Sequence, residues 1–325
     1  MEILIQIVVL LSGLILILGG ANYLVEGSSS IAKRFGISEF VIGLTIVGIG
    51  TSAPEMVVSF LSSMKGNADM AIGNIIGSNI FNTMMILGIT ALISPLVITK
   101  NNLKRDIPLN IGVTILLIMM GMSFTFFSIG DSDQLSRLEG TVLLLIFAWY
   151  LWRSFKNDSS DEENSDETEE NSVNRNIPIS AIMIAGGLAG LIFGGRLFVD
   201  SATAIAKIFG VSDKFIAITV MAAGTSMPEL ATCVVASLKG KGQLALGNIL
   251  GSNISNILLI LGGAALINPL SFAGMSYVDL GAVMISAIFI YLSALLFRKN
   301  ALDRVEGALL LLMEAGYMWY LISNL

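Results

Sequence analysis

Long apolar stretches, separated by short polar segments, dominate the pattern of hydrophobic and polar positions along this chain. A helix needs about 20 mostly apolar residues to cross the ~30 Å hydrocarbon core of a bilayer. Ten stretches approach or exceed this length, which predicts an all-α polytopic membrane protein with ten transmembrane helices. The predicted spans lie near residues 3–30, 38–64, 70–96, 107–127, 139–152, 178–206, 215–238, 243–270, 280–297 and 305–322.

One segment of the chain occurs twice. Residues 48–82 read GIGTSAPEMVVSFLSSMKGNADMAIGNIIGSNIFN, and residues 222–256 read AAGTSMPELATCVVASLKGKGQLALGNILGSNISN. The two copies align without a gap at an offset of 174 residues, and 17 of their 35 positions are identical. The duplication predicts two structurally equivalent halves, with the second and third spans matching the seventh and eighth.

Each copy places a single carboxylate in the middle of an apolar span. Glu55 is the only charged residue within 40–64, and Glu229 is the only one within 215–238. A charged side chain at the centre of a bilayer costs at least ~2.5 kcal/mol on insertion scales, so an intramembrane acid indicates a functional site. Two such acids at matched positions predict one site shared by both halves.

An acidic tract divides the chain. Residues 157–173 contain eight acidic residues and no basic one, with few apolar positions, which is typical of a disordered linker. We therefore predict a first half of five helices at 1–156, an acidic linker at 157–176 and a second half of five helices at 177–325. Because five is odd, the second half must enter the membrane from the opposite side, which is the inverted repeat of secondary transporters.

Lysine and arginine positions favour one orientation of these spans. With the N-terminus outside, thirteen of the 18 basic residues fall in inner loops and four in outer loops, while Arg196 lies within a span. Cytoplasmic loops of membrane proteins are enriched in basic residues. We therefore expect a multi-pass protein of the cell membrane with both termini extracellular and the linker in the cytoplasm.

The duplicated segment combines a predicted helix break with oxygen donors. Pro54 and Pro228 cannot donate to the carbonyls of Gly50 and Gly224, so we predict that helices two and seven are broken. Inside a membrane, a cation or a watery cavity can satisfy such carbonyls, and Ca²⁺ takes six to eight oxygen ligands. The candidate site residues are Thr51, Ser52, Glu55, Ser78 and Asn82 in the first copy and Thr225, Ser226, Glu229, Ser252 and Asn256 in the second.

Composition excludes several other classes of site. The chain has no histidine and one cysteine, Cys233, which removes the usual nitrogen and sulfur ligands of zinc and haem. No cofactor and no enzyme activity are expected. An intramembrane protease is a further alternative, but the chain has no HExxH motif, no histidine and no pair of aspartates in the spans. An ion channel would need a continuous pore, and the predicted pair of broken helices around a midplane site argues against one. Taken alone, the proline, glycine, serine and threonine residues are equally compatible with kinks and helix packing.

The motifs GTSAPE with GNIIGSNIFN, and GTSMPE with GNILGSNISN, resemble the α-repeats of the cation/calcium exchanger superfamily, and its prokaryotic sodium/calcium exchangers in particular. The resemblance covers the chain end to end. It implies that the ten residues above bind the transported ions together with the backbone carbonyls of Gly48 and Ala222. It also implies that the first and sixth helices slide across the site. Some members carry aspartate where this chain has Asn256, so the resemblance does not fix the ion stoichiometry.

This resemblance implies a secondary antiporter that exports Ca²⁺ in exchange for Na⁺ by alternating access. A Ca²⁺/H⁺ antiporter of the same superfamily is the alternative. The expected partners are Ca²⁺ and Na⁺, or H⁺ in the alternative, and the lipid bilayer. No nucleic acid and no obligatory protein partner are expected.

Overall fold

The computed structural model describes residues 2–128, 132–158, 176–210, 222–296 and 301–324. In the first half, the helices are α1 Glu2–Phe35, α2 Glu39–Ile42, α3 Gly48–Thr51, α4 Ala53–Met64, α5 Ala68–Phe81, α6 Leu87–Ile93, α7 Ile107–Gly121, α8 Ser123–Phe127 and α9 Arg137–Asp158. In the second half, they are α10 Ile177–Ile208, α11 Ala222–Thr225, α12 Met227–Leu238, α13 Gly242–Ser255, α14 Gly262–Ile267, α15 Tyr277–Leu296 and α16 Arg304–Ser323.

Short π-helical turns and strands complete the described structure. The π-helical turns are Gly43–Val47 between α2 and α3, Asn82–Ile86 between α5 and α6, Asn102–Asp106 before α7, and Asn256–Leu261 between α13 and α14. The strands are β1 Leu96–Val97, β2 Gln134–Leu135, β3 Leu270–Ser271 and β4 Ala301–Leu302.

Seven described helices are long and apolar enough to cross a membrane, and a bent pair of helices, 39–51 with 53–64, brings the number to eight. These eight correspond to all the predicted spans except the fourth and the seventh, so the prediction of a helical membrane protein is confirmed. The predicted fourth span is interrupted at Met122, and α7 has only 15 residues, or about 22 Å at 1.5 Å per residue. The described part of the seventh begins at Ala222.

The predicted break in the second span is present and bends it by 47°. It falls at Ser52, and Pro54 occupies the first turn of α4, where a missing N–H has no intrahelical partner to lose. A backbone N–H at the end of α3 reaches the carbonyl oxygen of Gly50. The prediction that Pro54 leaves this carbonyl free is therefore wrong, because the chain turns before the proline. An equivalent break at Ser226 separates α11 from α12.

Glycines allow α1 and α10 to cross with their backbones in contact. A Cβ atom added to Gly13 would lie 2.9 Å from the carbonyl oxygen of Gly194, and one added to Gly20 would lie 2.7 Å from that of Gly187. Gly13 corresponds to Gly187, and Gly20 to Gly194, at the repeat offset of 174. The crossing is therefore symmetric, and its small residues permit the close approach that membrane helices use for packing.

Each half completes the packing of the other. Strand β1, after α6, pairs with β4 at the start of α16, and β3, after α14, pairs with β2 at the start of α9. Gly88 of α6 lies against Gly307 of α16, and Gly262 of α14 lies against Gly140 of α9. One large cluster of buried apolar residues includes side chains of both halves. The halves therefore share a core and do not form two separate domains in space.

The predicted boundaries of the linker fall near the end of α9 at Asp158 and the start of α10 at Ile177. Residues 159–175 lie outside the described residues, so the assignment of 157–176 as a linker stays a prediction.

Candidate cation site

The two intramembrane glutamates lie in the first turns of α4 and α12, directly after the helix breaks. The backbone leaves the α-helical region at Ser52, with φ −78° and ψ 10°, and in the same way at Ser226, with φ −90° and ψ 8°. The side chains of Glu55 and Glu229 are only 1% and 0% exposed. The partial positive charge at a helix N-terminus favours a carboxylate in this position.

Serines from opposite halves hold the two carboxyl groups. Ser226 donates to Oε1 of Glu55 at 3.2 Å, and Ser52 donates to Oε1 of Glu229 at 3.0 Å. Ser78 also donates to Oε1 of Glu55, at 3.2 Å. The prediction that both copies contribute to one site therefore agrees with the geometry, because each glutamate is bound by a hydroxyl group from the other copy.

Four buried oxygens of the site have no hydrogen-bond partner among the described residues. They are Oε2 of Glu55, Oε2 of Glu229, Oδ1 of Asn82 and Oδ1 of Asn256. The two amide oxygens can accept hydrogen bonds but not donate them, and the same holds for the two carboxylate oxygens when the glutamates are ionised. Leaving such groups buried and unpaired is costly, whereas a cation coordinated by them would satisfy them. The donor set therefore fits a hard cation that both halves bind.

The other predicted site residues lie around these oxygens to different extents. The Thr51 and Ser252 hydroxyl groups lie near the Glu229 carboxyl group. Ser252 also donates to the carbonyl oxygen of Gly48 at 3.1 Å, and the Ser52 N–H donates to the same oxygen at 3.3 Å. The Gly48 carbonyl is thus close to the site but already accepts at least these two hydrogen bonds, and the Thr51 hydroxyl lies 3.4 Å from the same oxygen.

Two positions of the second copy are less closely defined. Thr225, the repeat mate of the fully buried Thr51, is half-buried at the end of α11. Ala222 is the first described residue of α11, and its side chain lies outside the described part of the structure. Their assignment as ligands stays a prediction.

Sequence reasoning missed four amides that lie next to the predicted ligands, of which Asn79, Asn248 and Asn253 are buried and Asn74 is half-buried. Asn74 donates to the carbonyl oxygen of Glu55 at 3.2 Å, and its repeat mate Asn248 contacts the Thr51 hydroxyl group at 3.1 Å. Asn79 and Asn253 contact Asn256 and Asn82. All four lie at identical positions of the two copies, and a polar residue duplicated inside an apolar span is the signal that could have identified them.

The described residues around the site include no buried lysine or arginine. Every lysine and arginine in the described ranges is at least partly exposed. Within those ranges, no cluster of three or more histidine, cysteine, aspartate or glutamate residues is present. With both glutamates ionised, the site has a formal charge of −2, and neutral oxygens provide the rest of its ligands.

The protein-family model described as "Sodium/calcium exchanger protein" matches residues 5–156 and 179–323. The chain is 38% identical over 328 residues to the putative antiporter CaxA of Alkalimonas amylolytica, covering 99% of this chain and 100% of the relative. It is 33% identical over 346 residues to the sodium/calcium exchanger MaX1 of Methanosarcina acetivorans, covering 97% of each chain.

A solved structure is similar to this chain over nearly its whole length. The sodium-calcium exchanger NCX_Mj, in a structure obtained after soaking with zero Na⁺ and Ca²⁺, superposes with a TM-score of 0.83 at 33% identity. The superposition covers 98% of this chain and 99% of that one.

Proposed function

Because the chain belongs to the sodium/calcium exchanger family, we propose that it exports Ca²⁺ from the cytoplasm in exchange for entering Na⁺. Its relatives are exchangers and antiporters and not enzymes. The chain is accordingly an antiporter of the sodium/calcium exchanger type in a membrane. The direction of transport, the coupling to Na⁺ and the residues that bind the ions are the content of the proposal.

The observation that carries the proposal is the set of four unpaired buried oxygens, two from each copy. One Ca²⁺ would neutralise the two carboxylates of Glu55 and Glu229, which reduces the cost of burying either. The amide oxygens and hydroxyl groups around them supply further ligands toward the six to eight that Ca²⁺ takes. Na⁺ is also a hard cation, so the same oxygens can bind it when Ca²⁺ has left.

The proposed ligands are the twelve positions expected from the sequence. They are Gly48, Thr51, Ser52, Glu55, Ser78 and Asn82 with Ala222, Thr225, Ser226, Glu229, Ser252 and Asn256. For the carbonyl of Gly48, ion binding would replace at least one of the hydrogen bonds that it accepts in this structure. The ions are substrates, and the proposal involves no cofactor.

Ten transmembrane helices in two inverted halves, with both termini extracellular, complete the proposed architecture. The symmetric glycine crossing of α1 and α10 supports two equivalent halves. The exchanged strand pairs, β1 with β4 and β3 with β2, also support this arrangement. The excess of basic residues in one set of loops supports the orientation. Alternating access would then expose one shared site to each side in turn.

Calcium flux into proteoliposomes under imposed gradients tests the coupling. We expect a Na⁺ gradient to drive Ca²⁺ movement in the opposite direction at constant pH, and a pH gradient without Na⁺ to drive little. Glu55→Gln in the same vesicles provides the background. Transport driven by the pH gradient alone would instead assign the chain to Ca²⁺/H⁺ antiport, the alternative within this superfamily.

A further inference from the structure

Two buried asparagines, Asn79 and Asn253, lie beside the proposed site without belonging to its predicted ligands. They are repeat mates, each 2% exposed, and each precedes a proposed ligand by three positions on α5 or α13. Each contacts the proposed ligand of the opposite copy and not the one on its own helix. Nδ2 of Asn256 donates to Oδ1 of Asn79 at 2.9 Å, and Nδ2 of Asn82 donates to Oδ1 of Asn253 at 3.1 Å.

The orientation of Asn79 follows from a partner that can only accept. Nδ2 of Asn79 donates at 3.1 Å to the backbone carbonyl oxygen of Asn253, which has no proton to donate. The other end of the Asn79 amide must therefore be the oxygen. That oxygen can only accept, so the end of Asn256 that faces it must be the NH₂ group.

This orientation determines which atom Asn256 presents to the proposed site. With its NH₂ group bound to Asn79, Asn256 presents Oδ1 on its other side, and this oxygen is one of the four without a partner. The mirror arrangement leaves Oδ1 of Asn82 free in the same way, while Asn253 donates its own NH₂ group to the Thr83 hydroxyl at 2.9 Å. A rotated amide would instead present an NH₂ group to a cation, which repels it.

We infer that Asn79 and Asn253 are positioning residues, each of which orients the ligand amide of the opposite repeat so that its oxygen faces the ion. The inference rests on the proposed function, because it requires a cation at the shared site. In metal sites of other proteins, residues that hydrogen-bond to a ligand fix its orientation and thereby the atom that it presents to the metal. Since each bond crosses between α5 and α13, the orientation of one copy's ligand depends on the position of the other copy.

A double-mutant cycle separates positioning from a merely structural role. In the otherwise unchanged chain, Asn79→Leu removes the acceptor that holds the Asn256 amide, and we expect a loss of about tenfold or more in Ca²⁺ affinity, as for other residues that orient metal ligands. In an Asn256→Asp background, an oxygen faces the ion whichever way the carboxylate turns, while its other oxygen meets Oδ1 of Asn79, which can also only accept. There, Asn79→Leu removes a repulsive contact, so it should leave the affinity unchanged or raise it. Calorimetric titration of the purified protein with Ca²⁺ measures binding without requiring transport.

The mirror cycle, Asn253→Leu with and without Asn82→Asp, provides an independent second pair of variants if Asn79→Leu does not fold. Asn74→Leu is the matched control, because Asn74 is a half-buried amide of α5 that contacts Glu55 and Ser59 and not the ligand amides. It should weaken binding equally with Asn256 or Asp at that position. Thermal unfolding of each variant verifies that it is folded.

Equal losses for Asn79→Leu in the two backgrounds would overturn the positioning role while leaving the proposed function standing. Absence of Ca²⁺ binding by the unmodified chain would overturn the proposed function itself. The two failures are therefore distinguishable. An unchanged or higher affinity in the aspartate background, repeated in the mirror cycle, supports the inference.

Discussion

The two copies of the repeat are alike at the centre of the molecule and different near their ends. At the centre, Ser226 binds Glu55 and Ser52 binds Glu229. Near the ends, Lys239 forms an ion pair with Glu26 at 2.7 Å. Their repeat mates, Lys65 and Asp200, form no ion pair with each other in the part of the chain that the structure describes.

The packing of the first helix of each half is also asymmetric. Helix α1 packs along α12, whereas its mate α10 makes no comparable contact with α4. The difference teaches that the exchanged serine–glutamate contacts are shared by the two copies, whereas the elements that flank the proposed site are asymmetric. For the proposed antiporter, we expect the opposite arrangement to exist as a second state, in which Asp200 approaches Lys65 and α10 packs along α4.

The largest expected effect tests the symmetric centre. Glu55→Gln and Glu229→Gln should each reduce Ca²⁺ flux in proteoliposomes by about a hundredfold or more, since each removes one of two charges from a low-dielectric site. Glu139→Gln, at the start of α9 and remote from the site in sequence, is the control. Loss in one variant with normal flux in the other would show that the two copies are not functionally equivalent.

A smaller effect is expected from the hydroxyl groups that cross between the copies. Ser52→Ala and Ser226→Ala each remove a hydrogen bond to a charged group, worth about 1.5–3 kcal/mol, so we expect about tenfold to a hundredfold weaker Ca²⁺ binding in each. Calorimetric titration measures both. Ser12→Ala is a control, because Ser12 bonds only within α1 and is exposed. Binding that is unchanged in both variants would contradict the assignment of these serines to the site.

Cross-linking of cysteine pairs tests the asymmetric ends. In a Cys233→Ser background, a short bifunctional thiol reagent that forms a disulfide at each end should bridge Glu26→Cys and Lys239→Cys in the arrangement described here, and Lys65→Cys and Asp200→Cys in the opposite one. Either bridge should block transport, and reduction of its disulfides should restore it. The cross-linked fraction of each pair is measured in Na⁺ and in Ca²⁺. If the two fractions change identically with the ions, the exchange between two opposite arrangements is contradicted.

Neutralising one charge of this ion pair should have a much smaller effect. The side chains of Lys239 and Glu26 are 29% and 32% exposed. Pairs of this kind contribute at most about 1 kcal/mol, so Lys239→Gln should change the transport rate by less than about fivefold. Lys65→Gln provides the matched comparison at the other end. A complete loss of transport in either variant would assign that lysine a role beyond the ion pair.

The smallest effect is expected from the acidic tract. Removing residues 159–172, which leaves α9 whole, should preserve both the binding and the exchange of Ca²⁺, because the tract contributes none of the proposed ligands. Flux and titration with the deletion variant measure this. If the variant inserts normally but loses basal exchange, the acidic tract is required for transport and the prediction is wrong.

The sequence indicated several of the polar residues that the structure brings together, because a membrane makes polar residues in apolar spans conspicuous. Glu55 and Glu229 could be identified from the cost of burying a charge, and their partners Ser52 and Ser226 from the repeat. The pairing of Ser226 with Glu55 across the halves could not be predicted, since it depends on how two helices approach.

Other features depend on interactions that a single sequence does not display. The roles of Asn79 and Asn253 depend on which end of an amide faces which atom. The position of the helix break also differs from the prediction: proline indicates that a break is near, but backbone geometry places it at Ser52. The π-helical turns that begin at Asn82 and Asn256 had no distinct signal in the apolar pattern.

The pairing of β1 with β4 has a consequence for how the protein is made. Strand β1 is synthesised about 200 residues before its partner, which at roughly 5–20 residues per second is an interval of about 10–40 s. During that time, the surface around Gly88, which α16 later covers, is already in the membrane. Completion of this packing therefore waits for α16 to leave the ribosome, and a chain truncated before α16 would leave this surface uncovered for the proteases of the membrane.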